Sequence, residues 1–327
     1  MHGWLVIDKP VGPGSTDVVS AVKRALREGG YPKVKVGHGG TLDPLASGVL
    51  PVALGEATKL AGRMLDAEKA YDFTIRFGEE TDTLDGEGEV IARSDARPSR
   101  AQIEAVLCAF RGEQEQAPPA YSAIKIGGKR AYDLARAGAE VEMKTRRVTV
   151  HELAVKEEDP HPTLSRKRER ARGAPGSPLL PLAGEGWDEG LLLLSSVTLS
   201  ARVSKGTYIR SLARDIAHAL GTVGHVTMLR RTRAGPFTLA PAISLDKMRD
   251  FAMARSLEQA LLPLTAGLDD IPALPVTPDQ ARALREGRKL AGIAAQQGLH
   301  LATDQSVPVA LVELSEGQLR VVRGFNL

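Results

Sequence analysis

Residues 37–49 read GHGGTLDPLASGV. Four glycines, one histidine and one proline surround a single carboxylate, Asp43. An aspartate, with a reference pKa near ~3.9, is ionised at neutral pH unless strongly desolvated. Such a group can act as nucleophile, base or electrostatic stabiliser. Asp before Pro is also a common turn opening, so the stretch alone leaves a structural role open. Other chemistries find less support. No Lys-Ser/Thr follows the glycines, as a phosphate-binding P-loop requires, and G-x-G-G-x-L misses the dinucleotide fingerprint. None of the seven histidines forms an H-E-x-x-H pair, and the lone cysteine, Cys108, cannot seed a thiolate cluster; no metal site is expected. A Ser in a G-x-S-x-G elbow is missing too. A glycosidase needs two paired carboxylates, and Asp43 has no partner of comparable context in the sequence.

Elements must hold this loop in place. Before it, Trp4 to Ile7 reads as a buried strand ending in a Pro/Gly turn. A helix follows to about Arg27, capped by Ser15 or Thr16, with Val18, Val19, Val22, Ala25 and Leu26 as its apolar stripe. After the loop, AYDFTIRFG alternates, with Tyr71, Phe73, Ile75 and Phe77 on one face. Asp85-Gly86 reads as a hairpin-like turn. Ser99 and Gln102 form a capping box for a helix carrying Ile103, Val106, Leu107 and Phe110. Cys108, among apolar residues in IEAVLCAF, reads as an inert buried thiol. Strands are expected from about Arg147 to Val155 and over SVTLSARV. A helix over GTYIRSLARDIAHALG follows, with Thr207 as its cap. Irregular alternation with one-sided strands suits an α+β domain around a mixed, largely antiparallel sheet flanked by helices.

Two segments stand apart. Residues 157–190 are rich in Pro, Gly, Arg and Glu without periodicity, and read as a disordered insertion with a solvated, functionless loop favoured over an RNA contact. From about Pro272, a helix capped by Thr277 and short strand signals mark a small, mostly β domain. The expected organisation is 1–268 and 272–327. The 327 residues carry a net charge of +3, compatible with nucleic acid but not diagnostic of it. One cysteine permits no internal disulfide. The start has no signal-peptide pattern, and no apolar run could span a bilayer, so a cytoplasmic protein without membrane contact is expected.

Taken in order, LVIDKPVGPGS, GHGGTLDPLASGVLPVALGEATK, KAYDF, TDTLDGEGEV, PPAYSAIKIGGKRAYDLAR, SKGTYIRSLARDIAHALG and HVTMLRRTRAGPF closely resemble the TruB family of bacterial tRNA pseudouridine-55 synthases. The resemblance runs from Gly3 to about Leu264, broken by the insertion, and the tail resembles the small PUA domain that closes many members. It implies a pseudouridine synthase fold, a monomer with no obligate protein partner, tRNA (its T-arm) as substrate, and no cofactor. A T-loop uridine is flipped out and isomerised: the ribose C1′–N1 bond breaks, and C5 bonds to C1′. The family's aspartate falls on Asp43, its active-site tyrosine on Tyr71 and its arginine, expected to pair with the carboxylate, on Arg210. The resemblance also assigns Tyr208 to the pocket and His38, Lys125, Lys9 and Leu229 to substrate or RNA binding; Lys9 could instead support the first turn. The loop glycines are expected to let backbone approach the extruded nucleotide. Gly39 departs from the family, which usually carries Thr or another residue there. A non-catalytic tRNA-folding chaperone on the same fold is the alternative.

Overall fold

The computed structural model describes residues 1–122, 124–132, 143–156 and 193–327. The 157–190 insertion lies outside the described residues. In chain order the strands begin with β1 (Gly3–Lys9), β2 (Val36–His38), β3 (Ala46–Leu54) and β4 (Lys69–Phe77). A hairpin of β5 (Glu79–Thr81) and β6 (Val90–Arg93) follows, then β7 (Gly112–Gln116) and the short pair β8 (Lys125–Ile126) and β9 (Lys129–Arg130). β10 (Arg146–Val155), β11 (Ser196–Val203), β12 (Gly224–Ala234) and β13 (Phe237–Thr238) complete the first part.

Nine of these form one sheet in the order β1-β3-β12-β4-β11-β10-β7, with β2 on β3 and β13 on β12. Neighbours run antiparallel except β3 and β12, which are parallel. The sheet is therefore mixed and largely antiparallel, as the patterning implies. β1 is buried at almost every position, and its Trp4 to Ile7 stretch is a continuous apolar run. The helices Ser15–Glu28 and Leu245–Met253 cover β1 and β3, burying Val18, Val22 and Met248 against Leu5, Ile7 and Leu50. The helices Arg100–Leu107 and Ile209–Ala219 cover β4 and β11, burying Ile103, Leu212 and Ile216 against Phe73, Ile75 and Leu199.

Several local expectations meet their structural counterparts. The Ser99–Gln102 capping box forms, with Ser99 N–H donating to Gln102 Oε1 and Gln102 N–H to Ser99 Oγ. Others change. The first helix is capped by Gly14, whose N–H donates to Asp17 Oδ2 at 2.9 Å; Ser15 is the first helical residue and is used elsewhere. The Ile209–Ala219 helix is capped by Tyr208, not Thr207. The buried amide of Gln116 replaces a side-chain cap there: its Nε2 donates to Tyr208 O (3.1 Å), and its Oε1 accepts from Tyr208 N (2.8 Å). Cys108 is exposed, because its helix ends at Leu107 and a 3₁₀ turn over Cys108–Phe110 turns it outward.

The tail has its own five-stranded sheet: β14 (Ala273–Pro275), β15 (Leu290–Ala291), β16 (Gly298–Asp304), β17 (Val307–Ser315) and β18 (Gln318–Gly324). Its helix, Pro278–Arg285, carries the expected Thr277 cap with Gln280. The tail is not loose. Leu301, Leu311 and Phe325 share a core with Trp4, Phe237 and Leu264. Lys59 Nζ donates to Gly324 O at 2.8 Å, and Arg63 pairs with Asp270, just before the tail, at 2.9 Å.

Candidate active site

The loop between β2 and β3 carries Asp43, and three buried side chains grip it. Asp43 opens a turn that Ala46 N–H closes on the Asp43 carbonyl (3.1 Å), with Pro44 in the position its fixed φ suits. The Pro44 carbonyl accepts from Gly12 N–H (2.8 Å) and from Lys9 Nζ (3.2 Å). Ser15 Oγ accepts from Leu42 N–H (2.7 Å) and donates to Leu42 O (3.1 Å). Arg231, 1% exposed, donates to the carbonyls of Val49 (2.8 Å), Thr41 (3.1 Å) and Gly40 (3.3 Å), and so ties both arms of the loop to β12.

Two of the four loop glycines answer to this packing. Gly48 has φ +101°, and a Cβ there would lie 2.1 Å from the Arg231 carbonyl across the parallel β3–β12 pairing. At Gly39 a Cβ would fall 2.6 Å from Met64 Cβ, which gives this chain a reason to lack a larger residue there.

The Asp43 carboxylate emerges from this frame 41% exposed, and its Oδ2 accepts from Arg210 Nη2 at 2.8 Å. Arg210 is 7% exposed, and both of its terminal nitrogens are engaged. Nη2 also donates to Tyr121 O (3.1 Å); Nη1 donates to Thr83 O (2.9 Å) and to Asp85 Oδ2 (3.0 Å). One buried guanidinium thus bridges two carboxylates, one buried and one open. Asp85 is completed by Thr83 Oγ1 (2.6 Å) and Glu87 N–H (3.1 Å) on its Oδ1. Its side chain is structural to the site rather than a mere turn former.

A cavity of about 540 Å³ opens over Asp43, within the ~300–1,000 Å³ usual for ligand sites. It brings together Asp43, Tyr71, Tyr208, Arg210 and Leu229. Tyr71 (β4) and Leu229 (β12) sit on adjacent strands, half-buried where the two main cores meet. A comparable hollow of about 510 Å³ around Asp72, Ser200 and Arg202 contains none of Asp43, Tyr208 or Arg210, and its Arg202 is taken by Glu152 (2.9 Å).

Lys9 and His38 fall outside the cavity wall. Lys9 is fully buried, and its Nζ donates to Pro10 O (2.9 Å), Pro13 O (2.7 Å) and Pro44 O. All three of its donors are used, so an RNA contact is corrected to support of the first turn and the Asp43 loop. Burial pushes its ammonium down to about 8, with Asp43 opposing and Arg231 adding to the shift. His38 ends β2, half-buried and off the cavity wall, with Nδ1 shielded and unpartnered. Burial first and Arg231 second push its imidazole below the usual value. Lys125 stands in β8, and its side chain lies outside the described residues. Lys69, which the sequence did not single out, lines the cavity and caps the carbonyls of Met64, Leu65 and Ala67 at 2.6–2.9 Å. Among the described residues no cluster of His, Cys, Asp or Glu has the make-up of a metal site. No helix among them is long and apolar enough to cross a membrane.

Comparison with known proteins gives the family. Residues 25–170 match the family model of the TruB family pseudouridylate synthase N-terminal domain, and residues 210–269 match that of the tRNA pseudouridylate synthase B C-terminal domain. The chain belongs to the TruB family of pseudouridylate synthases, which are isomerases. A protein of Zymomonas mobilis named tRNA pseudouridine synthase B is 55% identical over 326 residues, covering 100% of this chain and 96% of its own. One of the same name from Novosphingobium aromaticivorans is 56% identical, covering 100% and 98%. Among solved structures, an H/ACA RNP bound to a substrate RNA containing 2′-deoxyuridine aligns with TM-score 0.67 at 25% identity, over 99% of this chain and 85% of the other. A Cbf5-Nop10-Gar1 complex aligns equally well, with TM-score 0.67 at 26% identity, over 99% and 84%.

Proposed function

We propose that this enzyme converts one uridine of the tRNA T-loop, at position 55, to pseudouridine, with Asp43 as the nucleophilic carboxylate. The observation that carries this reading is the Asp43–Arg210–Asp85 array opening into a nucleotide-sized cavity walled by Tyr71, Tyr208 and Leu229. The target base leaves the RNA stack to enter, at a cost of a few kcal/mol. Tyr71 stacks on it, and Leu229 and Tyr208 complete an apolar slot that excludes water. Arg210 aims the Asp43 carboxylate and is itself fixed by Asp85. Asp43 attacks C1′ as the C1′–N1 bond breaks; the freed uracil turns, C5 bonds to C1′ and releases the Asp43 carboxylate, the C5 proton leaves and N1 gains one. Tyr71 is placed to help move the C5 proton. Only one glycosidic bond moves between two atoms of the same base, so the chemistry calls for no redox partner or energy source, and the reading includes no cofactor.

The domain division belongs to the same proposal: a synthase domain over 1–268 and a PUA-like RNA-binding domain over 272–327. His38 is assigned to the RNA-facing rim, and Lys125 to substrate contact. The enzyme works in the cytoplasm as a monomer, without an obligate protein partner. Incubation with unmodified tRNA transcript, followed by mapping of pseudouridine by position, tests the reading. Product confined to one T-loop uridine is expected. Binding without any product would turn the reading toward the folding chaperone.

A further inference from the structure

Arg146 opens β10 and lines the Asp43 cavity, yet the reaction just described leaves it without a task. Its guanidinium carbon lies 4.5 Å from the centroid of the Tyr208 ring, a stacked cation–π contact. A Cβ built on Gly206 would come within 3.4 Å of Nη1, so the group passes close over a residue that has no side chain. The guanidinium is therefore held against the Tyr208 ring. Nε and Nη2, however, are shielded from solvent and have no hydrogen-bond partner. Buried donors without partners are rare, and this one is a full charge, since arginine keeps its proton in proteins. Burial pushes its pKa below the usual value, with the Tyr208 hydroxyl opposing. The other two arginines on the cavity wall among the described residues differ: Arg210 bonds four acceptors and Arg231 three.

The identity of the two open donors is informative. Nε and Nη2 form one edge of the guanidinium fork, the parallel pair that meets two oxygens on a single atom. A uracil offers no such pair, because its two carbonyls stand on separate carbons flanking the N3–H donor. A phosphodiester does, once per nucleotide. We infer that Arg146 is a phosphate anchor, whose Nε/Nη2 edge takes both non-bridging oxygens of one backbone phosphate beside the extruded nucleotide. The inference rests on the proposed RNA-modifying function. Since solvent does not reach the edge in the free protein, RNA entry must uncover it.

The test measures the affinity of wild type, Arg146→Met and Arg146→Lys for unmodified tRNA transcript over a series of salt concentrations, together with single-turnover product formation. Methionine keeps an unbranched side chain against Tyr208 but removes the charge. Arg146→Met is expected to weaken binding on the order of tenfold, the scale of a lost charged hydrogen bond. The slope of log affinity against log salt should become shallower by about one contact, ~0.7–0.9. Arg146→Lys should keep the wild-type slope but lose affinity several-fold, because a point charge cannot make the two-oxygen contact. Wild-type slope and affinity in Arg146→Met overturns the inference. So does a slower product-forming step at wild-type slope, which assigns the edge to the base. Should Arg146→Met fail to fold, the Lys variant decides: affinity equal to wild type overturns the inference. A wild-type protein that binds tRNA but makes no pseudouridine sinks the functional reading instead, while the slopes still decide the phosphate contact.

Discussion

At the scale of single residues, the site depends on how charges are shared. Arg210 faces Asp43 on one terminal nitrogen and Asp85 on the other, with two carbonyls filling its remaining directions. Breaking a buried pair costs about 3–5 kcal/mol. Asp85→Ala should fall at the low end of that range, because Asp43 and both carbonyls remain on Arg210. Its turnover should drop on the order of a hundredfold as the Asp43 carboxylate loses its fixed direction. Urea unfolding with single-turnover assays reads both, and wild-type turnover in this variant contradicts the shared-charge account. His38 makes a pH prediction. Its folded pKa is lowered, so below the unfolded value of 6.5 the unfolded chain binds a proton that the folded one resists. Stability from this group is present above 6.5 and is lost as pH falls through the folded value. His38→Asn should therefore lose less stability than wild type between pH 7 and pH 5; equal losses contradict it. Asp43, Tyr71 and Arg210 could be read from their motifs. Asp85 could not: Asp-Gly is a turn signal, and its partner lies 125 residues away. Nor does a run of arginines in one strand say which of them, here Arg231, is buried.

At the scale of elements, the Asp43 loop is held by groups that local sequence assigned elsewhere. Ser15 stands at a helix start and looks like a cap, but Gly14 and Asp17 close that end by themselves. The hydroxyl is thereby free to clamp both backbone groups of Leu42, next to Asp43. Ser15→Ala leaves a buried N–H and C=O unmet, at about 1–3 kcal/mol. The variant should lower the turnover rate while the KM for tRNA stays near wild type, because the loop shifts and the binding walls do not. A raised KM with unchanged turnover speaks against the clamp. The strands and most helices were legible because burial imposes periods of 2 and 3.6 on their side chains. The caps at Gly14 and Tyr208 were less so, because a backbone glycine and a distant Gln116 amide leave no local signature.

At the scale of the whole molecule, the boundary near Pro272 was visible as a change in composition, but the contact across it was not. Trp4 in the first strand packs at 0% exposure beside Phe237 and in one core with Leu301, Leu311 and Phe325 of the tail. The tail is thus a buttress for β1 and, through β1, for the Lys9 turn beneath Asp43. The 157–190 segment is the opposite case. β10 and β11, which flank it, pair directly with each other from Val150↔Val203 to Val155↔Leu199, and Lys156 N–H still bonds Thr198 O at 2.9 Å. A short connection can close that pair. Deleting residues 157–190 should leave pseudouridine formation within a few-fold of wild type, and its abolition refutes this view.

The central claim is that Asp43 is the group that reacts. The most direct measurement treats unmodified tRNA transcript with wild type and with Asp43→Asn, and maps pseudouridine by position in each product. Asparagine keeps the size and one acceptor oxygen but removes the charge that Arg210 holds. The account predicts conversion of one T-loop uridine by wild type and none by Asp43→Asn, with the variant still binding the tRNA. Conversion of that uridine by the variant at a rate near wild type would contradict it.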